Sequence, residues 1–247
     1  MSGGGAADAA DVAGDGAFDA EKAESMHREA RFDEVAKYLA AHYDTDAGKQ
    51  NPEVLYRLAR AQYDAYEALP TSDKKGREAA LRRGLELCDE AFKVDADHFG
   101  PHKWKAILLA ALGDYLSNKE MIANTFIIRD SFLKAIKEAP NGIDATSEYG
   151  LGKWYFSCAN IGWMQRKVAA ALFGELPEAK YEDAVEWYKK AIEHSEQHKR
   201  FCLALAECYQ AMGKTAERKQ WAQKALDAPA ASDTEKELVD KEAKKLL

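Results

Sequence analysis

The sequence predicts an all-α fold: a superhelical array of antiparallel helix pairs carrying one inserted amphipathic helix. Three observations carry that expectation. Helix formers (Ala, Leu, Glu, Lys) dominate long stretches, and the 247 residues include only 6 prolines. Beyond residue 18, apolar residues recur at three- and four-residue spacing. One arrangement of small and aromatic residues also returns several times along the chain.

The elements follow in order. Residues 1–17, MSGGGAADAADVAGDGA, lack large apolar groups and are expected to form a disordered tail. The helical-repeat domain is expected over 18–247. A leading helix pair spans Phe18–Tyr43, with its turn before Arg31. Leu55-x2-Leu58-Ala59 opens the next unit, and Gly84-x3-Cys88-x2-Ala91 closes it. Trp104-x2-Ile107-Leu108 opens another, closed by Phe132-x2-Ala135-x4-Pro140. The clearest unit pairs Leu151-Gly152-x2-Tyr155 with Ala184-x3-Tyr188-x2-Ala191. This is the tetratricopeptide (TPR) pattern, in which small residues let two helices approach and an aromatic fills the space between repeats. Leu205-Ala206-x2-Tyr209-x3-Gly213 leads into Ala222-x2-Ala225-Leu226, with Arg218 where a small residue is expected.

Three units exceed the roughly 34 residues of a plain repeat. Extra residues fall around Leu69–Arg77, around Ser117–Asn124 and over Ser157–Lys180. In the last, Ile161, Met164, Val168, Ala171 and Leu172 share helical spacing, with Arg166 and Lys167 on the other face. That pattern predicts an amphipathic helix ending near Gly174 and Pro177 and packed on the array.

Charge is uneven. Residues 1–30 hold seven acids and two bases, so most of the net charge of −7 lies there. The remainder is close to neutral, which gives no reason to expect a nucleic-acid partner. The four cysteines (Cys88, Cys158, Cys202, Cys208) lack paired spacing and read as reduced thiols of a cytoplasmic protein. No apolar run reaches the roughly 18 residues of a membrane span, and no signal peptide is legible.

No catalytic constellation stands out, so no enzyme activity and no cofactor are expected. Gly213-Lys214-Thr215 lacks the earlier glycine of a phosphate loop and reads as a helix–helix turn. Gly150-Leu-Gly152 has Tyr155 where a dinucleotide fingerprint needs its third glycine. His194 and His198 share a helix face without a third ligand, and His98 and His102 straddle Gly100-Pro101. No metal site is expected from either pair.

Two partner surfaces are expected. In a repeat array the first helix of each pair lines the inner groove. Helical phase places Tyr56, Arg60 and Tyr63 there, then Lys105 and Leu109, then Tyr149, Lys153 and Phe156. Cations interleaved with rings suit an extended acidic peptide. Lys74, Lys75, Arg77, Arg82 and Arg83 form a second basic patch near the first long connection, with a solvated loop and helix start as the plainer reading.

The segment Gly152-Lys-Trp154-Tyr-Phe156, with Ile161-Gly162-Trp163-Met-Gln-Arg166-Lys167 and Leu172-Phe173-Gly174-Glu-Leu-Pro177, resembles the regulator of microtubule dynamics family. The resemblance covers roughly residues 20–228, and Leu55–Arg60 and Gly213–Leu226 fit it too. It implies a TPR-like domain that associates with microtubules and the spindle, and acidic tubulin tails would suit the groove. Some members carry a membrane anchor, whereas this sequence resembles the unanchored kind. The expected function is therefore a cytoplasmic, microtubule-associated adaptor with protein partners. The alternative is lipid binding or transfer at organelle contacts, with an acyl chain enclosed by the inserted helix.

Overall fold

The computed structural model of this chain describes residues 17–195, 199–230 and 232–247. The expectation of a disordered tail falls, but for Ala17, outside these residues. The described residues are 80% helical, with no strand among them. The α-helices are α1 (Ala20–Arg28), α2 (Phe32–Tyr43), the single-turn α3 (Asp46–Lys49), α4 (Pro52–Ala68), α5 (Lys74–Val94) and α6 (Phe99–Leu112). They continue with α7 (Asn118–Glu138), α8 (Ala145–Ala159), α9 (Trp163–Phe173), α10 (Tyr181–Glu193), α11 (Lys199–Ala211), α12 (Thr215–Asp227) and α13 (Asp233–Lys245). The chain divides into two compact units, one ending at Leu116 and one beginning at Ser117.

In the first unit, side-chain caps set the helix starts. Asp19 accepts from the Lys22 amide, Asn51 accepts from the Glu53 amide ahead of a helix opened by Pro52, and Asp73 accepts from the Gly76 amide. Each satisfies an amide that the first turn leaves without a partner. Helix α4 packs on α5 and α6 through Leu55, Leu58, Ala59, Leu81, Cys88, Ala91 and Leu108, all buried. Small residues permit the approach. A Cβ on Gly84 would lie 2.9 Å from a Leu108 methyl, and one on Gly100 would lie 2.4 Å from the Tyr56 ring. Burial pushes the Cys88 thiol up to about 12, so it behaves as an inert core residue.

In the second unit, α7 opens on a reciprocal cap between Ser117 and Glu120. Trp154 Nε1 donates to the Thr125 carbonyl at 2.7 Å, pinning α8 to α7. The frame read from the sequence is present. Tyr188 packs on Gly152, where a Cβ would come within 2.6 Å of the ring, and Phe132 packs likewise on Gly150. Helices α10, α11 and α12 close over Ala184, Leu205, Cys208, Ala222 and Ala225. The terminal α13 covers α11 and α12 with Val239, Ala243 and Leu246. Lys199, 2% exposed, lies 2.7 Å from Asp240 and donates to the carbonyls of Ala225, Leu226 and Ala228. A cation thus satisfies the carbonyl end of α12. Gly213, at φ +71, makes the turn between α11 and α12.

The extra residues after Ser117 lengthen a helix, forming the first turns of the 21-residue α7. Near Leu69–Arg77 only a short turn precedes α5, which already begins at Lys74. The third insertion holds the expected helix, α9, but in the opposite orientation. Arg166 turns inward, donating to the Pro177 carbonyl at 3.0 Å and to the Cys158 carbonyl. Trp163, Met164, Val168 and Leu172 face solvent at 65%, 65%, 51% and 66% exposure. The physical reason is local. One guanidinium bridges the Cys158 carbonyl at the end of α8 and the Pro177 carbonyl, which fixes the rotation of α9.

Candidate functional site

The expected inner-face residues are placed unit by unit. In the first unit, Tyr56 is 7% exposed and is a core residue. Its ring fills the slot above Gly100, with the Arg57 guanidinium 4.6 Å from its centroid. Burial raises its hydroxyl well above the usual tyrosine range. Arg60 pairs with Glu24 on α1 at 2.8 Å and also contacts His27 Nδ1. Burial by itself would raise the Glu24 carboxyl. The charge and hydrogen bond of Arg60 outweigh it, with Arg57 and His27 assisting, and hold that group below its ordinary value. Tyr63 lies half-buried between Tyr66 and Trp104. Lys105 reaches Asp89 of α5 at 3.1 Å and crosses the Phe92 ring, while Leu109 is buried. The two cations of this unit therefore turn to different helices, Arg60 to α1 and Lys105 to α5. Helical phase alone places both on the inner groove face.

The second unit differs. Tyr149, Lys153 and Phe156 fall on one stripe of α8. The Tyr149 ring stacks on Phe201 of α11 at 4.4 Å between centroids, and the Lys153 ammonium lies 5.8 Å from the centre of the same ring. Lys153 is exposed, and Phe156 packs partly against Tyr181. Burial pushes the Tyr149 hydroxyl up to about 12. Two charged neighbours on α11 escaped the sequence reading. Arg200 stands 3.4 Å from Glu235, and the Glu207 carboxyl is raised by burial and by Glu242 against the pull of Lys153. Nothing in a single sequence pairs Lys153 with a residue 54 positions away. The surface combines an open cation, a stacked ring pair and a carboxylate that protonates more readily than usual.

The second basic patch is mostly committed. Arg77 donates to the Leu69 carbonyl at 2.7 Å and the Tyr115 hydroxyl at 3.2 Å. Arg82 pairs with Glu78, and Arg83 with Glu86 and Glu90. Lys74 and Lys75 are exposed in the first turn of α5, where the helix dipole disfavours cations. A separate cleft of about 420 Å³ opens among Ile192, Cys202, Trp221, Lys224 and Asp227.

No group of three or more His, Cys, Asp or Glu residues able to hold a metal ion occurs among the described residues. His194 Nδ1 lies 2.8 Å from the buried Glu148 carboxylate, while His198 lies outside the described residues. His98 Nε2 meets Glu53 at 2.7 Å, and His102 Nε2 meets the Ala96 carbonyl at 2.9 Å. Among the described residues no helix is long and apolar enough to cross a membrane.

Comparison with known proteins completes the picture. The family model described as Regulator of microtubule dynamics protein 1-3 matches residues 19–247. The chain is 31% identical over 235 residues to regulator of microtubule dynamics protein 1 of Pongo abelii, covering 90% of this chain and 74% of that one. It is 33% identical to the human protein of that name over 193 residues, spanning 78% of this chain and 60% of the human one. Among solved structures, a thermophilic TPR protein of Thermus thermophilus aligns over 92% of this chain and 95% of its own, with a TM-score of 0.62 and 17% identity. That likeness concerns the fold alone: an all-α, TPR-like helical array.

Proposed function

This chain belongs to the regulator of microtubule dynamics family, and from that premise we propose that it is a microtubule-associated, TPR-like adaptor in the cytoplasm that binds acidic peptide segments, tubulin tails among them. The observation that carries the reading is the exposed Lys153 beside the stacked Tyr149–Phe201 pair. An acidic segment passing along α8 would give a carboxylate to Lys153 and lay side-chain stems on Tyr149 and Phe156. Arg200 offers a second cation close by. Arg60 and Tyr56 act indirectly, by holding α1, α4 and α6 together. The family name favours an adaptor over an enzyme.

Co-sedimentation with microtubules, intact or stripped of their acidic tubulin tails by protease, tests the reading. Lys153→Glu and tail removal should each weaken binding, and their effects should not add. A loss of roughly 1–3 kcal/mol, or about five- to 150-fold, is expected for one charge-assisted contact. If Lys153→Glu binds like the parent while Lys74→Glu with Lys75→Glu abolishes binding, the α5 start is the contact and the α8 surface is not.

A further inference from the structure

Helix α9 presents its apolar side to solvent. Around that side Trp163, Lys167, Ala171, Met164, Val168 and Leu172 succeed one another, and all six are exposed. Its inward side offers the Arg166 clamp and the half-buried Ala169. We propose that this exposed strip is a docking site for an amphipathic, acidic helix of another protein, with a partner carboxylate facing Lys167. The site lies apart from the α8 surface and goes beyond the acidic-segment reading above.

Charge and position select this occupant. From Ser157 to Gly174 there is no acidic residue, in a chain whose net charge is −7. The strip therefore complements an acidic partner. Lys167 lies within the apolar side, its ammonium 4.1 Å from the Trp163 ring centre. In a bilayer that position would carry the cation into the apolar boundary along with its neighbours. Against a second copy of α9 it would face another lysine. A protein helix resolves both conflicts, because one Asp or Glu among its apolar residues pairs with Lys167 and fixes the register. Trp163, held beneath the lysine, is a ready anchor of the kind that dominates helix–helix interfaces. At 11 residues α9 is about 16 Å long, enough for two to three turns of a partner.

The test uses the whole chain and a display library of 18-residue amphipathic helices with fixed leucines on one face and random flanking positions. Selected helices should carry Asp or Glu beside the leucines. Lys167→Glu should weaken them at least tenfold and turn a fresh selection toward Lys or Arg. Val168→Asp with Leu172→Asp should abolish capture. These side chains are exposed, so circular dichroism should show the parent fold in each variant, and Lys153→Glu should leave capture unchanged, which separates this test from the microtubule one. The proposal is overturned by selected helices indifferent to Lys167→Glu, or by sedimentation of the chain with phosphatidylserine vesicles that Leu172→Asp abolishes. A dimer in light scattering that dissociates with Leu172→Asp overturns it as well.

Discussion

The Glu24 carboxylate meets the Arg60 guanidinium at 2.8 Å, joining α1 to α4 across 36 positions of sequence. The pair is largely shielded, with side-chain exposures of 32% and 18%. It stands between a surface ion pair and a buried one. Arg60→Glu should therefore destabilise the first unit by roughly 1–3 kcal/mol in urea unfolding, with α1 opening first. The pH dependence has a definite sign. The folded carboxyl lies below its ordinary value of 4.5, so its contribution is complete above that pH and is lost as pH falls through the lower folded value. A variant whose unfolding midpoint matches the parent across that range would show that the pair contributes nothing.

Gly152 and Gly113 make a paired prediction. A methyl on Gly152 would press within 2.6 Å of the Tyr188 ring, whereas one on Gly113 would meet nothing within 4 Å. Gly152→Ala should cost roughly 1–3 kcal/mol through overpacking, less the ~1 kcal/mol by which a helix prefers alanine. Gly113→Ala, at φ −50, should be neutral or mildly stabilising. Thermal melts of both variants decide the matter. Equal midpoints would mean that the α8–α10 contact relaxes freely.

The Glu207 carboxyl is raised by burial and by Glu242, so it gains its proton earlier than an ordinary glutamate as pH falls. Protonation removes a negative charge beside Lys153. Binding of an acidic peptide should then strengthen as pH falls toward the raised Glu207 value, before the peptide's own carboxylates titrate near about 4.3. Glu207→Gln should bind at neutral pH as tightly as the parent does in acid, and its pH profile should be flat. Fluorescence anisotropy with a labelled polyglutamate peptide reads both. A parent profile already flat over that range would detach Glu207 from the binding surface.

The helical array and its pairings were legible in the chain. Gly84, Gly152, Ala184, Tyr188, Ala222 and Ala225 recur at spacings that a two-helix repeat needs, and steric fit explains each of them. The helix at Trp163–Phe173 was legible as well, bounded by Gly162 and Gly174. Part of the candidate surface was legible in the same way, since Tyr149, Lys153 and Phe156 do share one stripe of α8.

Periodicity reports which residues share a face, and it is silent on what that face meets. Tyr56 had the phase of a groove residue, but the slot left by Gly100 takes its ring into the core. Arg60 had the phase of an open cation, but Glu24 lies against it. The helical spacing of α9 holds, but its direction and the place of Lys167 do not: Arg166 alone turns inward to the Cys158 and Pro177 carbonyls, and Lys167 joins Trp163 on the exposed apolar side. Sequence alone determined the repeat, its helices and their small-residue contacts, since these follow from local spacing and sterics. Tertiary structure decided which charges are spent internally and which faces stay open, since those depend on partners brought together from distant parts of the chain.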